Sequence, residues 1–187
     1  MEIELFNACE DGKVREVGAL LQNLQINTNW ENEEYNYKTP FSIACENGHI
    51  DIVKILLNDE RIDVNQANSQ YGPTPFWIAC QGRQIGVVKL LLKDQRVDIN
   101  KANAFRQTPL WTACQKGEIE IVKLLLNDSR VEGINQAEKY SVTPLYIACR
   151  EGHIEIVKLL LSDERVDTNK ARETGETSLD CLFAWIS

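Results

Sequence analysis

The chain has 187 residues, 43% of them apolar, and carries a formal charge of −8 with a pI near 4.9. That acidic balance excludes the broad Lys/Arg surfaces that non-specific nucleic-acid or anionic-membrane binding requires. No apolar run reaches the roughly 18–20 residues of a membrane span, and Met1-Glu2-Ile3-Glu4 is acidic where a secretory leader is basic. A soluble, monomeric, cytoplasmic protein without membrane or nucleic-acid partners is expected.

Read from the N-terminus, the first helical segment is LFNACEDGKVREVGALL (5–21), with Ala8, Cys9 and Gly12 in a register that later segments repeat. A long, acidic, aromatic-rich loop follows, from Trp30 through Glu31, Glu33, Glu34 and Tyr35 to Tyr37. Loops that differ in length and chemistry from their neighbours often carry function. Four close copies of one unit come next: TPFSIACENGHIDIVKILL from Thr39, TPFWIACQGRQIGVVKLLL from Thr74, TPLWTACQKGEIEIVKLLL from Thr108 and TPLYIACREGHIEIVKLLL from Thr143. A fifth, TSLDCLFAWIS from Thr177, stops after one helix. Its abrupt end, with Phe183, Trp185 and Ile186 close to Ser187, fits a second reading in which the array is a scaffolding or regulatory segment of a longer protein.

The punctuation within each unit predicts two helices. Thr caps the first helix and Pro occupies its first turn, where a missing N–H costs nothing. Gly48, Gly117 and Gly152 end that helix through left-handed geometry. The second helix is predicted to bury Ile50, Val53, Leu56 and Leu57 as one stripe and to expose Asp51 and Lys54. An Asp-x-Asn step (Asp63-Val64-Asn65) then leads into a polar finger. In the third unit Gly82 stands one place early, which predicts a distorted helix end, and Gly133 is an extra residue predicted to form a bulge. Exit Asn to next Thr is ten residues at the first finger, nine at the second and eight thereafter.

The repeating unit resembles the ankyrin repeat, whose hallmark is Thr-Pro-Leu-His-x-Ala over a period of about 33 residues. The resemblance covers nearly the whole chain. It implies an all-α solenoid of about six stacked helix-turn-helix repeats with β-turn fingers. These form one domain over 1–187, with repeats at 1–36, 37–71, 72–105, 106–140, 141–174 and a partial one at 175–187. A tetratricopeptide array lacks the Thr-Pro start and the Asp-x-Asn exit. Here Ser42, Trp77, Trp111 and Tyr146 stand where the pattern has His.

Candidate chemistry is sparse. Cys9, Cys45, Cys80, Cys114 and Cys149 recur 36, 35, 34 and 35 residues apart, one per unit, as a small buried residue would. Neighbouring helix axes about 8–10 Å apart do not bring Cα atoms within the roughly 7 Å a disulfide needs. Cys181 lies off this ladder. His49 and His153 are three repeats apart, with no nucleophile or carboxylate convergent on either, so neither catalysis nor a metal or cofactor site is expected. Arg61, Arg96, Arg130 and Arg165 each follow an Asp by two residues, and Lys54, Lys89, Lys123 and Lys158 recur on the second helix. Both ladders read as solvated charge, each pair contributing about 0–1 kcal/mol.

Two aromatic rows remain. Tyr71, Phe105 and Tyr140 stand three residues before their Thr anchors, at the finger tips. Trp77, Trp111 and Tyr146 stand three residues after the same anchors, on the first helix. Resemblance to ankyrin repeats places both rows along or near a concave ligand-holding side. Exposed Tyr and Trp dominate protein interfaces, although the inner row is equally suited to stacking between repeats. The expected function is non-enzymatic binding of another protein or an extended peptide, with Tyr35, Tyr37, Tyr71, Trp77, Phe105, Trp111, Tyr140 and Tyr146 as partner-binding residues. Glu31, Glu33 and Glu34 would steer a basic partner segment.

Overall fold

The computed structural model describes residues 1–170 together with Thr177 and Asp180. Cys181, Phe183, Trp185, Ile186 and most of the partial repeat 175–187 lie outside the described residues. Ten α-helices are present among the described residues, with no β-strand beyond one isolated bridge. They run in pairs: α1 Glu2–Glu10 with α2 Val14–Leu20, α3 Pro40–Asn47 with α4 Ile50–Leu57, α5 Pro75–Gln81 with α6 Ile85–Leu91, α7 Pro109–Lys116 with α8 Ile119–Leu126, and α9 Pro144–Arg150 with α10 Ile154–Leu161.

The chain divides into two compact units, Met1–Asp98 and Ile99–Ser187. In the first, α1, α3 and α5 pack in sequence, with α2, α4 and α6 forming a second layer. In the second, α7 packs on α9 and α8 on α10. Within each unit every helix pair is closed by local contacts and then joined to its neighbour, as in any repeat stack.

The Thr-Pro signal produces the expected caps. Oγ1 of Thr74, Thr108 and Thr143 accepts from the backbone N–H of Trp77, Trp111 and Tyr146 at 3.1–3.2 Å. Thr39 and Ser42 go further and form a reciprocal capping box. Gly48 and Gly117 close α3 and α7 with φ of +75° and +74°. In the third repeat Gly82 does not take that role. Its φ is −78°, and the left-handed turn falls one place later on Arg83, at φ +63°. The extra residue near Gly133 lengthens the extended link between buried Val131 and Ile134, where other repeats have one residue between the two apolar positions.

The buried stripe of the second helix differs from expectation. Ile52, Val53 and Leu56 are fully buried, whereas Ile50 is 38% exposed. Ile119 and Ile154, at the same register, are exposed too. The face turned to the first helix is therefore defined by i, i+1 and i+4 starting at Ile52, and Ile50 belongs to the helix entrance. The five regularly spaced cysteines are buried free thiols. Burial pushes the Cys9 thiol up to about 12 and raises Cys45, Cys80 and Cys114 further still, so they remain protonated, inert spacers between helices.

Candidate partner-binding surface

Each finger is built by one polar residue that folds the backbone over itself. The backbone N–H of Asn32, Asn68, Asn103 and Glu138 donates to the carbonyl of Lys38, Pro73, Gln107 and Val142, at 2.9–3.1 Å. The side chains of the same residues accept from the backbone of the tip. Asn68 Oδ1 accepts from Gln70 and Tyr71, Asn103 Oδ1 from Phe105 and Gln107, and Glu138 Oε1 from Tyr140 at 2.7 Å and Val142 at 3.3 Å. A positive φ at Gly72, Arg106 and Ser141 completes the turn. The tips are thus ordered by their own hydrogen bonds, and they leave Tyr71 48%, Phe105 43% and Tyr140 63% exposed.

The inner row is placed differently. Trp77, Trp111 and Tyr146 are only 5%, 3% and 7% exposed. Each occupies the third helical position, where it gives its backbone N–H to the Thr cap and packs its ring inside the stack. Trp111 also donates its indole N–H to the carbonyl of Val142, 2.9 Å away in the next repeat. Trp111 thereby joins two repeats, and little of any of the three residues faces solvent.

The first finger is ordered by an antiparallel bridge between Asn32 and Lys38 and a single 3₁₀ turn, Glu33–Tyr35. Asn36 and Tyr37 both take left-handed backbone. Phe6 on α1 meets Trp30 edge-on at 6.4 Å and Tyr35 at 5.0 Å, so the finger is pinned to the first helix while Tyr35 stays 39% exposed. The charge of Glu10, with partial burial and a hydrogen bond to the same carboxylate, holds the Tyr35 phenol above its ordinary value. Tyr37 is half-buried. Asn68 Nδ2 donates to Asn36 O, and Glu31 accepts from Ser69 N at 3.1 Å. The first two fingers are therefore linked, and Glu31 is committed to that link while Glu33 and Glu34 are exposed.

Between the third and fourth fingers lies a cleft of about 290 Å³, lined by Phe105, Gln107, Trp111, Gln115, Glu138, Tyr140, Val142 and Arg150. Lys139 N donates to Phe105 O at 2.9 Å, tying the two fingers together. Lys139 Nζ sits 5.9 Å from the Tyr140 ring centroid, within cation–π range.

Of the two ladders that read as solvated charge, the lysines stay exposed, with Lys54, Lys123 and Lys158 paired to carboxylates of their own helix, whereas the arginines are connectors. Arg61 holds Asp59 with two side-chain bonds and also donates to the carbonyls of Leu21 and Asn23 in the preceding repeat. Arg96 and Arg165 reach back to Leu57 O and Leu126 O in the same way, each at 2.8 Å. Asn29, Asn65, Asn100 and Asn135 each grip the next repeat at two points. For Asn135, Nδ2 donates to Arg165 O at 2.7 Å and Oδ1 accepts from Asp167 N at 2.8 Å. His49 and His153 bring Nε2 to Glu10 O and Gln115 O at 2.9 and 3.0 Å. Because a carbonyl only accepts, each ring carries its proton on Nε2. Gln84 makes the equivalent bond to Glu46 O. Neither histidine is poised for chemistry. Among the described residues no group of three or more His, Cys, Asp or Glu is arranged to hold a metal ion, and no helix is long and apolar enough to cross a membrane.

Paired helices capped by Thr-Pro, linked by fingers and clasped through recurrent Asn, Arg and His side chains, define an ankyrin-type repeat stack. A model of three consecutive ankyrin repeats matches residues 5–103 and again 94–172. The chain belongs to the ankyrin-repeat family, whose members are in general protein–protein interaction modules. No individual curated protein matches it.

Proposed function

We propose that the chain is a non-enzymatic module that binds an extended segment of another protein along its finger tips, acting as a monomer in the cytoplasm. The observation that carries this reading is the exposure of Tyr71, Phe105 and Tyr140 on tips whose backbone is already fixed by Asn68, Asn103 and Glu138. Large rings held exposed on ordered turns contribute little to the fold and lose little freedom on binding, which is the economy an interface anchor needs. Tyr35 and Tyr37 extend the set on the first finger, where exposed Glu33 and Glu34 favour a basic stretch of the partner. Trp77, Trp111 and Tyr146 are buried, Trp111 being tied to Val142 O of the next repeat, so they offer a partner little surface.

The test is affinity purification from a source lysate with the wild-type chain and with a Tyr71→Ala, Phe105→Ala double variant. A protein retained by the first and lost by the second, with equal melting points, supports finger-tip binding. Equal recovery by both overturns it.

A further inference from the structure

The cleft between the third and fourth fingers differs chemically from the rest of the surface. Its outer walls are Phe105 and Tyr140, backed by Trp111 and Val142. At about 290 Å³ it lies at the small end of ligand sites, room for one large side chain. Exposed cations stand beside both walls: Arg106 follows Phe105, Lys139 precedes Tyr140, and Arg150 lines the cleft.

Arg150 pairs with exposed Glu151 at 2.9 Å. Among the described residues, neither Arg106 nor Lys139 pairs with a carboxylate. The remaining carboxylate of the cleft, Glu138, is buried and turned to the backbone N–H groups of Tyr140 and Val142.

This basic rim does not follow from composition. Residues 99–187 hold eleven Lys/Arg against thirteen Asp/Glu. The second finger, by contrast, flanks Tyr71 with uncharged Gln70 and Gly72. At the register of Gly72 the third finger carries Arg106, at φ +63°, a backbone conformation that glycine adopts without strain and arginine does not.

From this geometry we infer that the cleft takes one large apolar or aromatic side chain of a partner segment whose flanking residues are acidic. The apolar side chain fills the space between Phe105 and Tyr140, and the flanking carboxylates meet Arg106 and Lys139. A nucleic acid fits less well, because Glu138 and Glu151 interrupt the basic track that a phosphate backbone follows. The inference rests on the finger-tip reading and adds the partner's chemistry at one site.

The test selects a random-peptide display library on the full chain and measures enriched peptides, synthesised with a fluorophore, by anisotropy. The expected result is enrichment of peptides with an aromatic or Leu residue beside Asp or Glu. Their affinity should fall about tenfold or more for Tyr140→Ala and for the Arg106→Glu, Lys139→Glu double variant, as truncation of an anchor does. Lys89→Glu, exposed on the second-helix face away from the finger tips, should leave it unchanged. A peptide with its acids exchanged for Lys should bind the double-Glu variant better than it binds the wild type, a rescue that a merely structural role of Arg106 and Lys139 does not give.

Basic or neutral peptides that remain sensitive to Tyr140→Ala would overturn the acidic assignment and leave finger-tip binding standing. Failure to enrich any peptide, or indifference to Tyr71, Phe105 and Tyr140 alike, would overturn both. Displacement of the peptides by oligothymidylate would make the cleft a nucleic-acid site. Unchanged circular dichroism and melting points keep each loss attributable to the surface.

Discussion

The indole of Trp111 and the backbone of Val142 are joined across a repeat boundary by a 2.9 Å hydrogen bond. The same carbonyl also accepts from Glu138 N at 3.1 Å, so the bond fastens the first helix of one repeat to the base of the next finger. Trp111→Phe removes one of two donors and a ring's worth of packing. It should cost about 1–2 kcal/mol, since the oxygen keeps its other partner. Trp111→Ala should cost about 3–5 kcal/mol, in the range of large core truncations. Urea melts read both, and a loss under 1 kcal/mol for the alanine variant would return the ring to the surface.

The double grip of Asn135 on Arg165 and Asp167 should be measurable in the same way. Asn135→Ala removes two hydrogen bonds at a partly exposed site, an expected loss of about 1–3 kcal/mol. Asn135→Asp should not restore it, because a carboxylate cannot donate to Arg165 O. Amide hydrogen exchange at Asp167 should accelerate in Asn135→Ala, whereas the carboxylate of Asn135→Asp still accepts from Asp167 N and should keep that amide protected; unaltered protection in the alanine variant would show that the clasp is dispensable.

Arg83 and Gly117 occupy one register with opposite consequences. Arg83 takes φ +63°, so Arg83→Gly should stabilise the chain by up to about 1 kcal/mol by relieving left-handed strain. At Gly117 a Cβ would lie 2.7 Å from His153 Cε1 on top of a φ of +74°. Gly117→Ala should therefore destabilise by at least about 1–2 kcal/mol, and His153→Ala should recover part of that by opening space. Thermal melts of the three variants test the pair, and an unstabilised Arg83→Gly would mean the arginine side chain offsets its backbone.

Acid should loosen the Asp–Arg connectors. Hydrogen bonds from Arg61, Arg130 and Arg165 hold the carboxyls of Asp59, Asp128 and Asp163 below their ordinary value. A carboxyl lowered in the fold contributes stability that is complete above its unfolded pKa of about 3.9 and is lost as pH falls through the folded value. Urea midpoints should therefore drop as pH is lowered below about 4. The Asp59→Asn, Asp128→Asn, Asp163→Asn variant should be weaker at neutral pH and flatter through that range. Parallel curves would assign the acid limb to other carboxylates.

Much of this architecture was legible because its signals are local. Thr-Pro and Gly report the backbone at their own position, so the helix starts at Thr39, Thr74, Thr108 and Thr143 and the stops at Gly48 and Gly117 were readable directly. The Arg and Asn ladders were not, because their partners are backbone carbonyls one repeat away, which carry no side-chain identity. Their only signal was recurrence: Arg61, Arg96, Arg130 and Arg165 keep one register while the intervening fingers vary, as a residue bonded to invariant backbone would. The inner aromatic row resisted for a related reason, since nothing local to the third helical position tells how deeply its ring is buried, and the bond of Trp111 is to a backbone carbonyl of the next repeat. The finger tips were legible because only exposed turns accommodate a large ring three residues before a helix cap.

The decisive functional contrast sets the finger tips against the second-helix face. Tyr71→Ala, Phe105→Ala and Tyr140→Ala should each weaken binding of a partner protein by about 1–3 kcal/mol, as hot-spot truncations do. These residues are 43–63% exposed on their turns, so melting points should hardly move. Arg96 is unsuitable as the opposing control, because its guanidinium bonds Leu57 O and a charge reversal there lowers stability. Lys89 on α6 is exposed, and Lys89→Glu tests the second-helix face without that complication. Calorimetric titration of each variant should show the three finger changes costing affinity and Lys89→Glu costing none. The reverse pattern, with Lys89→Glu abolishing binding while the finger variants retain it, would place the partner on the layer of second helices and overturn the finger-tip reading.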